Sequence, residues 1–379
     1  MKTHDRIEFI DPMRGFAVIV MVMGHTIDSV LADSSRTTEL FRLYDAIRGF
    51  TAPVFLFVSG MSFMIVTERK WEQYRNLTPE AVKRICKIML LIVIGYALHF
   101  PFFSFNKIVN NATPGELASF LQVDVLHCVG ASLLILQVLI FFSPSVAAFV
   151  RSTLALVVIF VMMAPILWGV NLADVFSPVV SPYVNQQQIS IFPLFPYAGF
   201  LFAGVIVAYL FRRARNEARE SEFFRSVAKI VPWVAVLGLV ADFLPWQVFP
   251  QHEYWKASPN FFLIRLAIVL LLTSGFFFLK RIPESVRQHA TTLGQASLLV
   301  YVVHLVVVYG SAANRGLAQT IGRTMNLPQA VLVALALLVS MFVMVQFRNV
   351  LQRRHVWSLR VVQAMVVSAL MFFFFTNPF

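Results

Sequence analysis

The sequence is short of charge. Only 13% of its 379 residues are Asp, Glu, Lys or Arg, whereas about 25% of an average soluble chain is charged. A soluble domain of this length needs more polar surface than this composition supplies, so a soluble globular fold is excluded. Apolar residues instead make up 58% of the chain.

Cysteine is also scarce, because the chain contains only Cys86 and Cys128. They lie far apart, in or beside apolar segments, and neither their number nor their spacing is that of a disulfide framework or a metal site. No other spacing of ligating residues indicates a metal. The first apolar stretch is interrupted by Arg14 and His25, so we expect it to be retained as a helix and not cleaved as a signal peptide.

Long apolar stretches are what the sequence has in abundance. Crossing a hydrocarbon core of about 30 Å takes roughly 20 mainly apolar helical residues. The sequence predicts an all-α, polytopic transmembrane helical bundle of about 11 helices (10 to 12), forming a single domain over residues 1–379, with the Val123–Val170 region least clear. The predicted helices are Phe9–Leu31, Ile47–Val66, Ile85–Phe103, Val123–Phe142, Thr153–Val170, Ile191–Phe211, Val227–Phe249, Asn260–Leu279, Leu293–Ala312, Gln329–Phe347 and Leu359–Phe375.

The loops predict the orientation of the bundle. With a cytoplasmic N-terminus, 22 of the 31 Lys and Arg residues fall in inside segments and seven in outside loops, which is the bias that the positive-inside rule requires. The same bias accounts for the net charge of +12, so no nucleic acid partner is needed. We expect a multi-pass protein of the lipid bilayer, in the bacterial cytoplasmic (inner) membrane.

Ionisable residues within apolar spans are costly and normally face a protein interior or a water cavity. The first helix holds Arg14 and His25, eleven residues apart, which places them on one face about 16 Å apart along the axis. Asp11 and Asp28 each lie three residues from one of them, within reach on the same face. A carboxylate beside His25 fixes its tautomer and raises its basicity, as a general base requires. The alternative is that Arg14 snorkels to the headgroups and His25 makes an ordinary interhelical hydrogen bond.

Further polar residues fall near the outer half of the predicted bundle. Asp124 and His127 repeat the three-residue spacing, and Arg265 lies in the eighth predicted helix. Together with His25 they predict a polar funnel that is open to the outside, with Arg14 as a basic anchor below it. His304 in SLLVYVVH is either a second histidine of this cavity or a packing group. Asp45 and Arg48 are interpreted as solvated interfacial residues.

The N-terminal block RIEFIDPMRGFAVIVMVMGHTIDSVL resembles the opening of the heparan-alpha-glucosaminide N-acetyltransferase catalytic-domain family, a branch of the transmembrane acyltransferase superfamily. Its D-x-x-R-G-x-A element is Asp11, Arg14, Gly15 and Ala17 here. The spacing from Arg14 to His25 also resembles the motif of the related acyltransferase-three family. Similar blocks follow in the same order: APVFLFVSGMS, VDVLHCVGASLLI, FPLFPYAGFLFAG and SLLVYVVH.

The resemblance implies an enzyme that takes an acyl group, typically acetyl from acetyl-CoA, and passes it to a carbohydrate hydroxyl or amine across the membrane. It implies that His25 is the histidine of the acyl-transfer step and Arg14 its motif partner. The lysosomal members use a histidine in the loop after the first helix, and Ala32–Arg48 contains none. Whether His25 carries the acyl group or acts only as a base stays open.

The resulting hypothesis assigns His25, Asp28 and Arg14 to catalysis, with Arg14 near the phosphates of an acyl-CoA. Asp124, His127, Arg265 and His304 are assigned to binding the carbohydrate acceptor, and no cofactor is bound permanently. The alternative is a transporter or carrier of a small or lipid-linked substrate that uses the buried charges for coupling. The apolar run Met371–Phe375 either ends the last helix or packs against a partner, and a homo-oligomer is compatible with it.

Overall fold

A computed structural model of the protein describes residues 7–100, 103–171, 177–186, 190–241, 249–250, 252–279, 283–311, 314–354 and 356–377. These residues are mainly helical, and β-type pairing among them is limited to two isolated bridges. The helices are α1 (Ile10–Val30), α2 (Glu39–Arg48), α3 (Thr51–Arg69), α4 (Trp71–Arg75), α5 (Pro79–Leu98), α6 (Phe105–Asn110), α7 (Pro114–Leu121), α8 (Val125–Phe142), α9 (Val146–Met162), α10 (Ala164–Trp168), α11 (Ser181–Val184), α12 (Leu194–Asn216), α13 (Glu220–Ala241), α14 (Tyr254–Ala257), α15 (Pro259–Phe278), α16 (Glu284–Gln295), α17 (Ser297–Tyr309), α18 (Leu317–Thr320), α19 (Leu327–Arg354) and α20 (Val356–Thr376).

Each of the eleven predicted segments overlaps a helix, which confirms the all-α class and the polytopic helical bundle, but Ile47–Val66, Thr153–Val170 and Leu293–Ala312 each run across parts of two helices. Among the described residues, eight helical stretches are long and apolar enough to cross a membrane, and nine if α16 and α17, bent by 77°, form one broken span. α5 is not among them because its first turns carry four charged residues, and the apolar part of α20 is shorter. The number of spans and the orientation stay predictions. Four of the predicted helices include residues whose backbone or side chains are not described, within 101–102, 242–248, 312 and 355–359.

The outer faces of several helices are apolar and exposed. Trp233 and Leu237 on α13 are 70% and 67% exposed, and Leu332 on α19 is 66% exposed. Continuous apolar surface of this kind is unfavourable in water and is the surface that lipid covers. The protein is therefore a multi-pass membrane protein.

The chain forms two compact units, each built from segments that are distant in sequence. Unit 1 comprises Met1–Thr51, Phe100–Leu117 and Arg281–Phe379, and unit 2 comprises Ala52–His99 and Ala118–Lys280. The prediction of one domain over the whole chain stays a prediction.

In unit 1, α1 packs against α16, α17 and α19. The approach of α1 to α16 is so close that their backbones touch. A β-carbon on Gly15 would lie 1.9 Å from the carbonyl oxygen of Ala290, and one on Gly294 would lie 2.1 Å from the carbonyl oxygen of Asp11. Two small residues at one crossing allow this contact, as is common between membrane helices.

The C-terminal end of α1 is anchored by the backbone of the segment before α19. The Met325 N–H donates to the Val30 carbonyl at 3.0 Å, and the Ala32 N–H donates to the Met325 carbonyl at 2.8 Å. A buried apolar cluster surrounds this anchor and consists of Ile27, Val30, Leu31, Phe41, Ala330 and Ala334. The half of α1 that carries His25 is therefore held by α2, by α19 and by the segment before α19.

In unit 2, α8 packs against α5 and α12, while α12 also packs against α9 and α13 against α15. α3 and α12 repeat the backbone contact seen in unit 1. A β-carbon on Gly60 would lie 1.9 Å from the Leu201 carbonyl oxygen, and one on Gly204 would lie 2.0 Å from the Phe57 carbonyl oxygen.

The helix starts follow from the local sequence. Ser258 caps α15, accepting from the Asn260 N–H, and Pro259 follows at a position where its missing N–H costs nothing. Asp124 caps α8, accepting from the backbone N–H groups of Leu126 and His127. This cap places an ionisable group at the entrance of a strongly apolar helix.

Candidate active site

His25 and His304 meet between α1 and α17 of unit 1. His25 Nδ1 lies 2.9 Å from His304 Nε2, and the two rings are nearly parallel, with centroids 5.2 Å apart. His304 is fully buried, and its Nδ1 lies 2.8 Å from the Val300 carbonyl oxygen. The structure therefore brings together two of the histidines that the sequence singled out, and joins them directly.

The Val300 carbonyl decides how protons are arranged in this pair. A carbonyl oxygen only accepts, so His304 Nδ1 carries a proton and donates it to Val300. In a neutral His304, Nε2 is then an acceptor, and His25 Nδ1 must donate to it. His25 is left with an unprotonated Nε2, whose lone pair is the nucleophilic and basic position of the ring.

Asp28 does not take the place that the spacing predicted for it. Its carboxylate lies 2.6 Å from a guanidinium nitrogen of Arg36 and 3.3 Å from one of Arg48. Arg36 also donates to the carbonyl oxygens of Asp28 and Leu31. In the described part of the chain, Asp28 is bonded to arginine and makes no hydrogen bond to His25, whose ring partner is His304. Two arginines outcompete a neutral imidazole for a carboxylate, because charge-assisted hydrogen bonds are stronger.

Arg48 lies beside the His25 centre, although the sequence indicated a solvated residue. Its side-chain stem crosses α1 at Gly24, where a β-carbon would be only 3.0 Å from Arg48 Cδ. Besides Asp28, Arg48 contacts Asp45 at 2.6 Å. Because Gly24, the residue directly before His25, has no side chain, the Arg48 side chain can lie against α1 at this position. The only feature of the sequence that could have indicated this contact of Arg48 is the glycine directly before His25.

Arg14 occupies the other half of α1. It lies 3.6 Å from Asp11, the pairing that the spacing predicted. Eleven residues of continuous helix, about 16 Å, separate it from His25. The structure thus places Arg14 beside the backbone crossing of α1 and α16, and at a distance from the His25–His304 pair.

A second cluster of ionisable groups lies in unit 2, around the start of α8. His127 Nδ1 is 2.8 Å from Asp124 Oδ1, so the pair predicted from the three-residue spacing is formed. The other carboxylate oxygen of Asp124 is 3.4 Å from Nε2 of His99. His99, at the end of α5, was not expected from the sequence, because no local spacing links it to α8.

Aromatic side chains surround this second cluster. The Tyr96 ring meets the His127 ring edge-on with centroids 4.2 Å apart, and the Tyr96 and Tyr183 hydroxyls are 3.0 Å apart. Burial, together with the hydrogen bond to Tyr96, raises the pKa of the Tyr183 phenol above its usual value, so this hydroxyl keeps its proton. The ring of Phe120 also packs against Tyr96, with centroids 5.4 Å apart.

Arg265, the remaining predicted binding residue, lies on α15 of unit 2. Its guanidinium carbon is 4.2 Å from the centre of the Phe261 ring, one turn earlier on the same helix. This is a cation–π arrangement in a largely apolar helix.

The sequence matches the family model described as an acyltransferase domain over residues 7–346. No curated protein matches the chain. The match includes α1 to α18 and most of α19, and therefore all of the residues discussed above. The narrower resemblance to the heparan-alpha-glucosaminide N-acetyltransferase branch stays a prediction. Because the match covers nearly the whole chain, the protein belongs to the acyltransferase-three family of membrane acyltransferases.

Proposed function

We propose that the protein moves an acyl group, acetyl in the simplest case, from acyl-CoA to an extracytoplasmic carbohydrate acceptor, and that His25 is the centre of this reaction. The observation that carries the proposal is the His25–His304 pair. A partly buried imidazole whose Nδ1 is held by a hydrogen bond presents its Nε2 lone pair in a defined direction. This is the arrangement that both base and nucleophilic catalysis require.

Two routes use the same nitrogen. As an acyl carrier, His25 Nε2 attacks the thioester carbonyl carbon, the C–S bond breaks and CoA leaves as a thiolate. The acceptor oxygen then bonds to the acyl carbon and gives up its proton, the C–N bond breaks to return neutral His25, and CoA is released overall as its thiol. As a base, Nε2 takes the proton of the acceptor hydroxyl while its oxygen attacks the thioester, and CoA again leaves with the electron pair. In both routes the Nδ1–H of His25 stays hydrogen-bonded to Nε2 of His304. His304 is therefore a positioning residue as well as the binding residue first predicted.

Arg14 is proposed to bind the donor. It is a cation at the half of α1 away from His25, and the basic inner loops predicted from charge bias would lie on its side. An acyl-CoA carries several phosphate charges, which arginine recognises by paired hydrogen bonds. This role requires a cytoplasmic N-terminus, in agreement with the predicted location in the bacterial inner membrane. Asp28 is proposed to act indirectly, by holding Arg36 and Arg48 near the His25 centre.

The acceptor is proposed to bind in unit 2, at Asp124, His127 and Arg265. Carboxylate, imidazole and phenol groups together with aromatic faces are the usual surroundings of a bound sugar, because they pair with hydroxyls and stack on C–H faces. A transporter would use such charges for coupling and would not consume acyl-CoA.

The test is acyl transfer by purified protein in detergent with radiolabelled acetyl-CoA and a mixed pool of mono- and oligosaccharides. We expect label in the sugar fraction with the wild type, none with His25→Ala, and full transfer with His289→Gln. His289 is an exposed histidine on α16 and serves as the matched control. A wild type that neither binds nor consumes acetyl-CoA contradicts the donor assignment, and loss of transfer in both variants contradicts the role of His25.

A further inference from the structure

The second ionisable cluster contains a buried nitrogen without a partner. His127 is fully buried on α8, and its Nε2 has no hydrogen-bond partner among the described residues. Buried polar atoms are nearly always hydrogen-bonded, and an unpaired one is costly. A fully buried nitrogen left open in an otherwise ordered pair is therefore typical of a position that a ligand completes.

The neighbouring carboxylate decides which kind of ligand fits. His127 Nδ1 lies 2.8 Å from Asp124 Oδ1 and 3.2 Å from the Asp124 backbone nitrogen. An ionised carboxylate only accepts, so at the shorter distance Nδ1 must carry a proton and donate it. Nε2 of the neutral ring then has a lone pair. The missing partner is consequently a hydrogen-bond donor, such as a hydroxyl.

The ring is held tightly in this orientation. A β-carbon on Gly95 of α5 would lie 2.6 Å from His127 Cε1, so the imidazole lies directly on the helix backbone there. Asp124 is itself held by the backbone N–H groups of Leu126 and His127. The dyad is thus preorganised by both helices, and neither member has to move to make a new hydrogen bond through Nε2.

We propose that Asp124 and His127 form a hydroxyl-binding, proton-accepting dyad for the carbohydrate acceptor. This inference rests on the acyl-carrier route of the proposed function, in which His25 is not the base, and assigns one atom, His127 Nε2, to one task. The acceptor O–H bond breaks as the N–H bond on Nε2 forms, and the oxygen bonds to the acyl carbonyl carbon. The electron pair of the broken acyl bond goes to the leaving group of the activated acyl donor. Asp124 stabilises the resulting imidazolium.

A nucleophile that needs no base can distinguish a proton-accepting role of His127 from a structural role. Hydroxylamine is neutral and strongly nucleophilic, and its acylation yields a hydroxamate. Purified protein would be given acetyl-CoA with either hydroxylamine or the saccharide pool. We expect His127→Asn to lower sugar acylation by about 10²-fold or more and to leave hydroxamate formation close to that of the wild type, whereas His25→Ala loses both.

The variants are chosen to keep the fold. In His127→Asn, the amide N–H replaces the Nδ1 donor to Asp124 and only the Nε2 position is removed. Asp124→Asn keeps the helix cap, since Asn caps as well as Asp, and removes the charge that supports the imidazolium. For Asp124→Asn we expect a smaller loss of sugar acylation than for His127→Asn, again with hydroxamate formation retained.

Each contrary result has its own meaning. Equal loss of both products in a folded His127→Asn protein, or no loss of either, overturns the dyad. A wild type that forms hydroxamate but acylates no saccharide overturns the hydroxyl acceptor. A wild type that forms neither product contradicts the proposed function itself, and the dyad with it.

Discussion

His25 and His304 are separated by 279 residues in the chain, yet a 2.9 Å hydrogen bond joins their imidazoles. Because His304 donates its Nδ1–H to the Val300 carbonyl, its Nε2 is the acceptor, and the direction of this bond is determined from outside the pair. A backbone carbonyl on a different helix thus determines that Nε2 of His25 carries no proton. This relationship leads to the first of four predictions.

Replacing His304 should change the tautomer of His25. In His304→Leu nothing accepts the Nδ1 proton, so the ring can place its proton on Nε2 instead. We expect acyl transfer to fall by about 10-fold or more, with the loss in kcat and not in KM for acyl-CoA, since loss of a tautomer-fixing group can cost up to about 10⁴-fold. In His304→Gln the amide oxygen can still accept, and part of the rate should return. Equal rates for Leu and Gln would show that the pair is a packing contact only.

Adding a methyl group at Gly24 should displace Arg48. The β-carbon would lie 3.0 Å from Arg48 Cδ, which is too close, but the arginine stem is flexible and can shift. We expect Gly24→Ala to keep its thermal stability and to lose about 10-fold in transfer rate, because small misplacements near a reacting centre are costly. Steady-state transfer and a thermal melt in the same detergent check this. An unchanged rate would exclude Arg48 from the reaction.

Asp28 and Arg36 should be coupled in stability. Their ion pair is 2.6 Å long and less than one third exposed, so each single change leaves a charge poorly compensated. A double-mutant cycle of Asp28→Asn and Arg36→Gln should give a coupling of roughly 1–3 kcal/mol in the free energy of unfolding. Unfolding by sodium dodecyl sulfate titration measures it. Zero coupling, with Asp28→Asn as inactive as His25→Ala, would return Asp28 to direct contact with the imidazole.

The backbone crossing of α1 and α16 should not tolerate a side chain. In Gly15→Ala the new carbon meets the Ala290 carbonyl oxygen, which cannot move away by rotation. We expect a loss of about 1–3 kcal/mol or more in unfolding free energy, as for other overpacked sites. Gly275→Ala on α15 is the control, because nothing lies within 4 Å of its β-carbon, and it should be neutral or stabilising. Similar behaviour of the two variants would contradict the crossing.

The same three-residue spacing gave two correct predictions, Asp11 with Arg14 and Asp124 with His127, and one wrong one, His25 with Asp28. Asp124 and His127 form their pair because Asp124 is a helix cap, and the third helical side chain lies back over the cap. His25 and Asp28 lie within α1, where the loop after the helix brings Arg36 and α2 brings Arg48 to the carboxylate. Spacing predicts which residues can meet, whereas stronger partners from elsewhere in the chain decide which do.

Long apolar stretches were sufficient to predict the long helices, because a span of about 20 apolar residues has few other stable forms in lipid. They did not predict the short helices such as α2, α6 and α7. Nor did they predict His304 as the partner of His25, or His99 as the neighbour of Asp124. Both contacts depend on how helices pack side by side, and helix packing depends on small residues such as Gly15 and Gly95 as much as on hydropathy.

The two contacts of α1 also fix its position along its own axis. One end is seated on α16 through Gly15, and the other is tied to α17 through His25, so the helix cannot slide along its axis without breaking one of them. The interval from Arg14 to His25 is therefore a fixed length of about 16 Å. Under the proposed function, a donor that contacts both residues must be long enough to reach from one to the other. Molecular length would thus be a criterion by which the protein distinguishes a full-length coenzyme thioester from a truncated one.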